Sequence, residues 1–295
     1  MNNILILTIA SVALLTSCNN DQRESFAFGN FEADEIIISA EMSGILKEFN
    51  VTEGTVLEKD SILGYIDTTQ LVLKKSQVHS GIKSVISKIK LADEQIKVNE
   101  VNLKNLTREK SRIEALLGDG AATPKQLDDI VGQIDLLGAQ TNVLSSQKNS
   151  INTEIETLGS QIAQINDQLT KSYIKSPLTG TVMEKYLHAG ELAVTGKALF
   201  KIADLSSLIL RVFVEGDQLE MIRLGNDVKV FVDTAGGELK EYAGKVAWIS
   251  SAAEFTPKII QTKEERVNLV YAVKIIVTND GGLKIGMPAE ITVTQ

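Results

Sequence analysis

Thirty-odd residues of this chain occur twice, and more than a hundred residues separate the copies. Gly44, Ile45, Leu46, Gly54 and Ile66 return as Gly180, Thr181, Val182, Gly190 and Ile202, every pair offset by 136 positions with no gap. The flanks agree as well: Ser39-Ala40 aligns with Lys175-Ser176, Ser43 with Thr179, Val56 with Leu192 and Gly64 with Phe200. A motif that occurs only twice, far apart, cannot build a solenoid, which needs three or more stacked neighbours. The arrangement predicts one small domain made of two half-motifs, 36–67 and 173–204, with a long insertion between them.

Each half reads as short strands joined by glycine turns. In the first half these are Ile36 to Ser39, Gly44 to Val51, Val56, and Leu63 to Asp67. Glycines 44, 54, 180 and 190 mark places where a side chain would clash or φ is positive. Neither half can cover its own apolar face, so the two are expected to pair into a flattened β-sandwich.

The insertion, 68–172, has the period of a coiled coil. From Val78 the series Val78, Ile82, Val85, Ile89, Ala92, Ile96, Asn99, Leu103, Leu106, Lys110, Ile113 and Leu117 alternates spacings of four and three, and ten of the twelve are apolar. From Leu127 the series is Leu127, Ile130, Ile134, Leu137, Thr141, Leu144, Lys148, Ile151, Ile155, Leu158, Ile162, Ile165 and Leu169, with eleven of thirteen apolar. A sustained 3.5-residue repeat is a coiled-coil seam. The arms meet at Gly118 to Pro124. Gly118 and Gly120 can take the positive φ of a helix stop, and Thr123-Pro124 is an N-cap and first-turn pair for a returning helix. A short loop makes the arms antiparallel, and at 1.5 Å per residue each reaches roughly 70 Å. A purely mechanical spacer explains the heptads equally well and leaves the tip without a role.

The N-terminus gives an address. Ile4 to Leu15 is an apolar run of about a dozen residues, too short for a bilayer and right for the core of a signal peptide. It ends in Leu15-Thr16-Ser17-Cys18, which resembles the bacterial lipobox. That resemblance implies removal of residues 1–17 and a lipidated Cys18, followed by a tether and first strand over 18–35. Two or more acyl chains, at about 0.8 kcal/mol per buried CH₂, make a stable anchor. Cys18 is the only cysteine, which excludes disulfides and cysteine metal sites.

In the last third, 205–295, Leu208 to Val214, Val228 to Val232, Tyr242 to Ile249, Val270 to Val277 and Ala289 to Thr294 read as strands. Glu215 to Leu224 suits a short helix ended by Gly225. Short, evenly spaced strands with glycine turns predict a small β-barrel.

Enzymatic chemistry finds no support. His79 lies on the first coil arm and His188 in the second half-motif, with no ligand-spaced acidic cluster beside them. No Walker-type phosphate loop is present, and no cofactor is expected. A net charge of −8 without a basic block argues against nucleic acid.

The split half-motif resembles the lipoyl/biotinyl carrier domain, but Asp67 runs straight into the coil where carriers present a modified lysine on a tight turn. A lipoyl-like domain interrupted by a helical hairpin behind an anchored N-terminus is similar to the membrane fusion proteins, the HlyD-like periplasmic adaptors of tripartite export pumps. The likeness runs from Phe31 to Gln295. It implies an α+β, elongated multidomain fold: split lipoyl-like sandwich, coiled-coil hairpin, C-terminal barrel. It implies a hexamer linking an inner-membrane transporter to a TolC-like outer-membrane channel, in the periplasm. Adaptors that dock onto such channels carry at the tip an arginine, a leucine four residues on and a serine seven further. Arg112, Leu116 and Thr123 stand there, threonine replacing serine. Thr195 and Lys197, in the turn Thr195 to Ala198, match a loop that lines the central opening of relatives. Phe255-Thr256-Pro257 and Thr262 to Arg266 resemble a segment of the branch serving ABC-type exporters. The chain ends one strand after Gly286-Met287-Pro288, without the further membrane-proximal domain usual in adaptors of proton-driven pumps. Both features tilt the expectation toward an ABC-type partner. An adaptor of a proton-driven pump, a structural envelope lipoprotein and a lipoyl-type carrier are the alternatives.

Overall fold

The computed structural model describes residues 26–234, 236–255 and 269–293. Strand β1 (Ala27–Glu32) comes first and belongs to the barrel below. The first half-motif forms β2 (Glu35–Ser39), β3 (Gly44–Phe49), β4 (Val56–Leu57) and β5 (Ile62–Ile66). The second forms β6 (Tyr173–Lys175), β7 (Gly180–Lys185), β8 (Leu192–Ala193) and β9 (Ala198–Ala203). They interleave as two four-stranded sheets, β2-β9-β7-β4 and β6-β5-β3-β8. Each sheet takes two strands from each half, which is how two faces that cannot cover themselves become one core.

The duplication is exact enough to be read in the ladders. Leu46 pairs with Ile66, Glu48 with Tyr65 and Phe49 with Gly64, and the same register recurs as Val182 with Ile202, Glu184 with Lys201 and Lys185 with Phe200. Even the irregularity after Leu46 reappears after Val182. The core repeats too: Leu46 and Val182, Val51 and Leu187, Leu63 and Leu199, Ile66 and Ile202 are all buried. Burying each such side chain contributes about 1.5–3 kcal/mol. The symmetry breaks where Gly64 holds the place that Phe200 takes in the second half. A Cβ at Gly64 would lie 2.0 Å from the Glu48 carbonyl oxygen, while Phe200 packs tilted against Phe49, with ring centroids 6.0 Å apart.

Between β5 and β6 run α1 (Thr69–Gly118, 50 residues) and α2 (Pro124–Ser172, 49 residues), each about 75 Å long at 1.5 Å per residue. Their protected positions coincide with the two heptad series from Val78 and from Leu127. Only Val85, Ala92, Ile151 and Ile165 in those series are fully buried, because each helix has a single neighbour. The polar members of the seam find partners. Asn99 donates to the Thr141 hydroxyl at 3.4 Å, Lys148 reaches Asp93 at 2.7 Å and Lys110 reaches Glu114 at 3.7 Å. At the turn Gly120 takes φ +71°, while Gly118 remains the last helical residue.

The barrel is built from β1, β10 (Ser207–Glu215), β11 (Asp227–Asp233), β12 (Leu239–Ile249), β14 (Leu269–Thr278) and β15 (Pro288–Val293), with β13 (Glu254–Phe255) extending β14. The order β10-β1-β15-β11-β12-β14 closes through β10–β14 pairing. Leu208, Leu210, Val212 and Val214 face inward on alternate residues of β10, as a half-buried strand requires. The short helix is a single 3-10 turn, Gln218–Met221. Residues 27–32, read with the tether, supply the strand between β10 and β15. Gly29 permits this approach: a Cβ there would lie 1.8 Å from the Arg211 carbonyl oxygen.

Candidate functional site at the hairpin tip

Helix α1 ends where Asp119 N–H donates to Ala115 O at 3.2 Å and Ala121 N–H to Leu116 O at 2.8 Å. Helix α2 begins in a capping box. Gln126 N–H donates to Thr123 Oγ1 at 3.4 Å, and Thr123 N–H donates to Gln126 Oε1 at 2.8 Å. The pattern Thr-x-x-Gln carries this signal in the sequence; the Gln126 partner was missed.

Arg112, Leu116 and Thr123 all stand exposed at this end of the hairpin. Leu116 is 40% exposed, beside a protected Leu117 and Ile113 on the seam. It contributes little to the coil and offers an apolar knob outward. Arg112 is exposed and donates to Glu109 one turn earlier, a bond that raises the guanidinium pKa further. Four of its five N–H donors lie outside that bond, which leaves the fork able to reach carbonyl oxygens elsewhere. The Thr123 hydroxyl is engaged as the cap of α2. Glu109 was not foreseen, although an i,i+3 pair on a helix is a readable spacing.

The turn holding Thr195 and Lys197 sits in the sandwich and is not brought to the tip. Thr195 N–H donates to Ser43 Oγ at 3.1 Å, Gly196 N–H to Ala40 O at 2.8 Å, and Ala40 N–H to Lys197 O at 2.9 Å. The other half repeats the pattern: Lys59 N–H donates to Thr179 Oγ1 at 3.1 Å, and Asp60 N–H to Ser176 O at 2.8 Å. Ser43 is the residue sequence reading left unassigned in this clasp. The Lys197 side chain is exposed.

Cys18 and the segment Thr256 to Arg266 lie outside the described residues. Among the described residues no group of three or more His, Cys, Asp or Glu is placed to hold a metal ion. No described helix is long and apolar enough to cross a membrane.

Residues 34–204 match the family model of the CzcB-like barrel-sandwich hybrid domain. The UPF0194 membrane protein of Yersinia pseudotuberculosis is 32% identical over 128 residues, 43% of this chain and 38% of that protein. The UPF0194 membrane protein YbhG of Salmonella gallinarum is 32% identical over 117 residues, 39% of this chain and 35% of that protein. The chain thus spans little more than a third of the curated relatives it matches. Among solved structures, MacA from Actinobacillus actinomycetemcomitans is similar with a TM-score of 0.59 and 18% identity, over 91% of this chain and 78% of that one. The membrane fusion protein Spr0693 from Streptococcus pneumoniae R6 gives 0.51 and 18%, over 91% and 97%. These likenesses show a common fold, hairpin and barrel included. With more than half of its length matched, the chain belongs to the family of CzcB-like barrel-sandwich hybrid proteins.

Proposed function

We propose that the chain is a periplasmic adaptor, a membrane fusion subunit that joins an inner-membrane exporter to a TolC-like outer-membrane channel. One observation carries the reading: a domain of duplicated half-motifs is opened at its midpoint by a hairpin about 75 Å long whose far end exposes Arg112 and Leu116. A carrier would use that midpoint to present a lysine, and a mechanical spacer has no need of an apolar knob at its end.

In this reading Cys18 is acylated and holds the protein at the inner membrane. The barrel rests on the transporter, the sandwiches associate as a hexameric ring, and the hairpins reach the channel. Arg112 and Leu116 dock, Thr123 fixes the shape of the tip, and Thr195 and Lys197 border the central opening. The partner is an ABC-type exporter, supported by the sequence likeness around Phe255 to Arg266. The adaptor couples and seals; the transporter hydrolyses the nucleotide.

Affinity isolation of the tagged chain from cross-linked membranes tests this. The expected result is co-isolation of an ABC permease, its ATPase and an outer-membrane channel. Isolation with a proton-driven pump instead would replace the partner type, and isolation with neither membrane's transport protein would overturn the reading.

A further inference from the structure

The two broad faces of the hairpin are unlike. In a 3.5-residue repeat, the residue just before each seam position flanks the seam on one face, and the residue just after it flanks the seam on the other. The second face is charged along α1, where Asp93, Lys97, Glu100 and Lys104 follow seam positions. The first face is not. It runs for roughly 30 Å between the Lys88–Glu154 ion pair at 3.9 Å and the Glu109–Arg112 pair nearer the tip. Over that length every residue just before a seam position is apolar, a carboxamide or serine.

Four apolar side chains on this face stand in solvent: Leu91 at 62%, Val98 at 60%, Leu136 at 61% and Val143 at 66% exposure. Between the helices lie two shallow grooves of about 360 and 380 Å³ that share Gln140. Asn102 and Gln133 border the first groove and Gln95 the second, and all four carboxamides are exposed. Apolar side chains grouped in this way mark an interaction surface.

Such a face selects its own kind. A carboxamide both donates and accepts, so amide opposes amide without mismatch, and valine opposes valine. A two-fold interface needs this self-complementarity, because one patch meets its own copy. The charged face is a poor match, since laying it on the uncharged one would desolvate Lys97 and Glu100 against valine. The register agrees with a two-fold. Asp93 pairs with Lys148 and Asn99 with Thr141, so Val98 and Val143 stand at one level of the hairpin. An axis along the hairpin then sets α1 of each copy over α2 of the other. Val98 falls over Val143, Asn102 over Gln140, and Lys88 over Glu154 with opposite charge.

We infer that two copies of this chain pair through this face, their hairpins parallel and stacked as a four-helix bundle. The inference goes beyond the adaptor reading and does not rest on it. A ring closed by the sandwiches uses other surfaces and leaves this face bare.

Cysteine cross-linking of the purified full-length chain in detergent tests it, with the parent chain, whose only cysteine is Cys18, as control. Helices packed about 8–10 Å apart bring facing Cα atoms within disulfide reach, at most about 7 Å. A mixture of Val98→Cys and Val143→Cys chains should form disulfide-linked dimers on mild oxidation. The yield should exceed that of either variant alone about tenfold, because pairing holds the two thiols at high effective concentration. Both positions are exposed, so each variant is expected to keep the parent thermal midpoint. Dimers of Val98→Cys alone would mean that the hairpins point in opposite directions, and no link in any sample would mean that the face stays bare. Either result overturns the pairing, whether or not a transporter co-isolates with the chain. In whole cells, a benzophenone attached to Val98→Cys should label a second copy of the chain. Labelling of a different protein alone would assign the face to that protein and overturn the pairing equally.

Discussion

Asp60 and Gly196 occupy the same turn 136 residues apart, each with a left-handed backbone, φ 63° and φ 86°. Each also donates its N–H across the sandwich at 2.8 Å, to Ser176 O and Ala40 O respectively. The pair shows that the duplication is held by the same backbone hydrogen bonds in both halves. It also shows where the halves differ: a position that favours glycine is filled by aspartate in one of them, and Asp60 is the only described non-glycine residue with positive φ.

Replacing Asp60 therefore should help. Asp60→Gly is expected to stabilise the chain by about 0.5–1 kcal/mol, since it relieves the left-handed penalty and returns part of the gain as unfolded-state entropy. Gly196→Asp should cost a similar amount. Urea midpoints of the two variants check this, and equal shifts of the same sign would show that backbone strain does not govern the turn.

The two roles open to Thr123 separate by chemistry. Thr123→Ser keeps the capping hydroxyl and should leave stability unchanged, whereas Thr123→Ala loses the box and should cost about 1 kcal/mol. Thermal unfolding followed by helical circular dichroism reads this directly. If Thr123→Ala unfolds like the parent chain, the capping box is not holding α2.

Asp67 links the sandwich to the first turn of α1. Its carboxyl is held at about 2, first by hydrogen bonds from Thr69 and then by Lys47. A folded-state value below the ordinary 3.8 means a contribution present in full above pH about 4. That contribution is lost as pH falls from there toward 2. Between pH 5 and pH 2.5 the thermal midpoint of the parent chain should fall further than that of Asp67→Ala. Asp280, also held at about 2, titrates in both proteins and cancels in the comparison. Parallel curves would contradict the assignment.

Much of the architecture was legible because it rests on local periodicity. The heptad positions from Val78 to Leu117 and from Leu127 to Leu169 became the protected seam, and Gly54 and Gly190 became the repeated turns, whereas Gly44 and Gly180 open strands β3 and β7. The barrel was legible as a class but not in its order. Residues 27–32 alternate weakly, and their place between β10 and β15 depends on Gly29 tolerating the Arg211 carbonyl, a long-range contact that no local pattern announces. At the tip, Arg112 and Leu116 were singled out by the resemblance to channel-docking adaptors, and the heptad phase leaves both outside the seam series. The Glu109 bond and the Gln126 half of the capping box depended on side-chain partners that the motif did not name.

The docking role proposed for the tip is tested by one paired measurement. Leu116→Asp is compared with the parent chain for export in a complemented strain and for thermal midpoint in the purified protein. Because Leu116 lies off the seam and is 40% exposed, the account predicts that export is abolished while the midpoint barely moves. A large fall in the midpoint, with export or channel binding retained, would make Leu116 an ordinary core residue and contradict it.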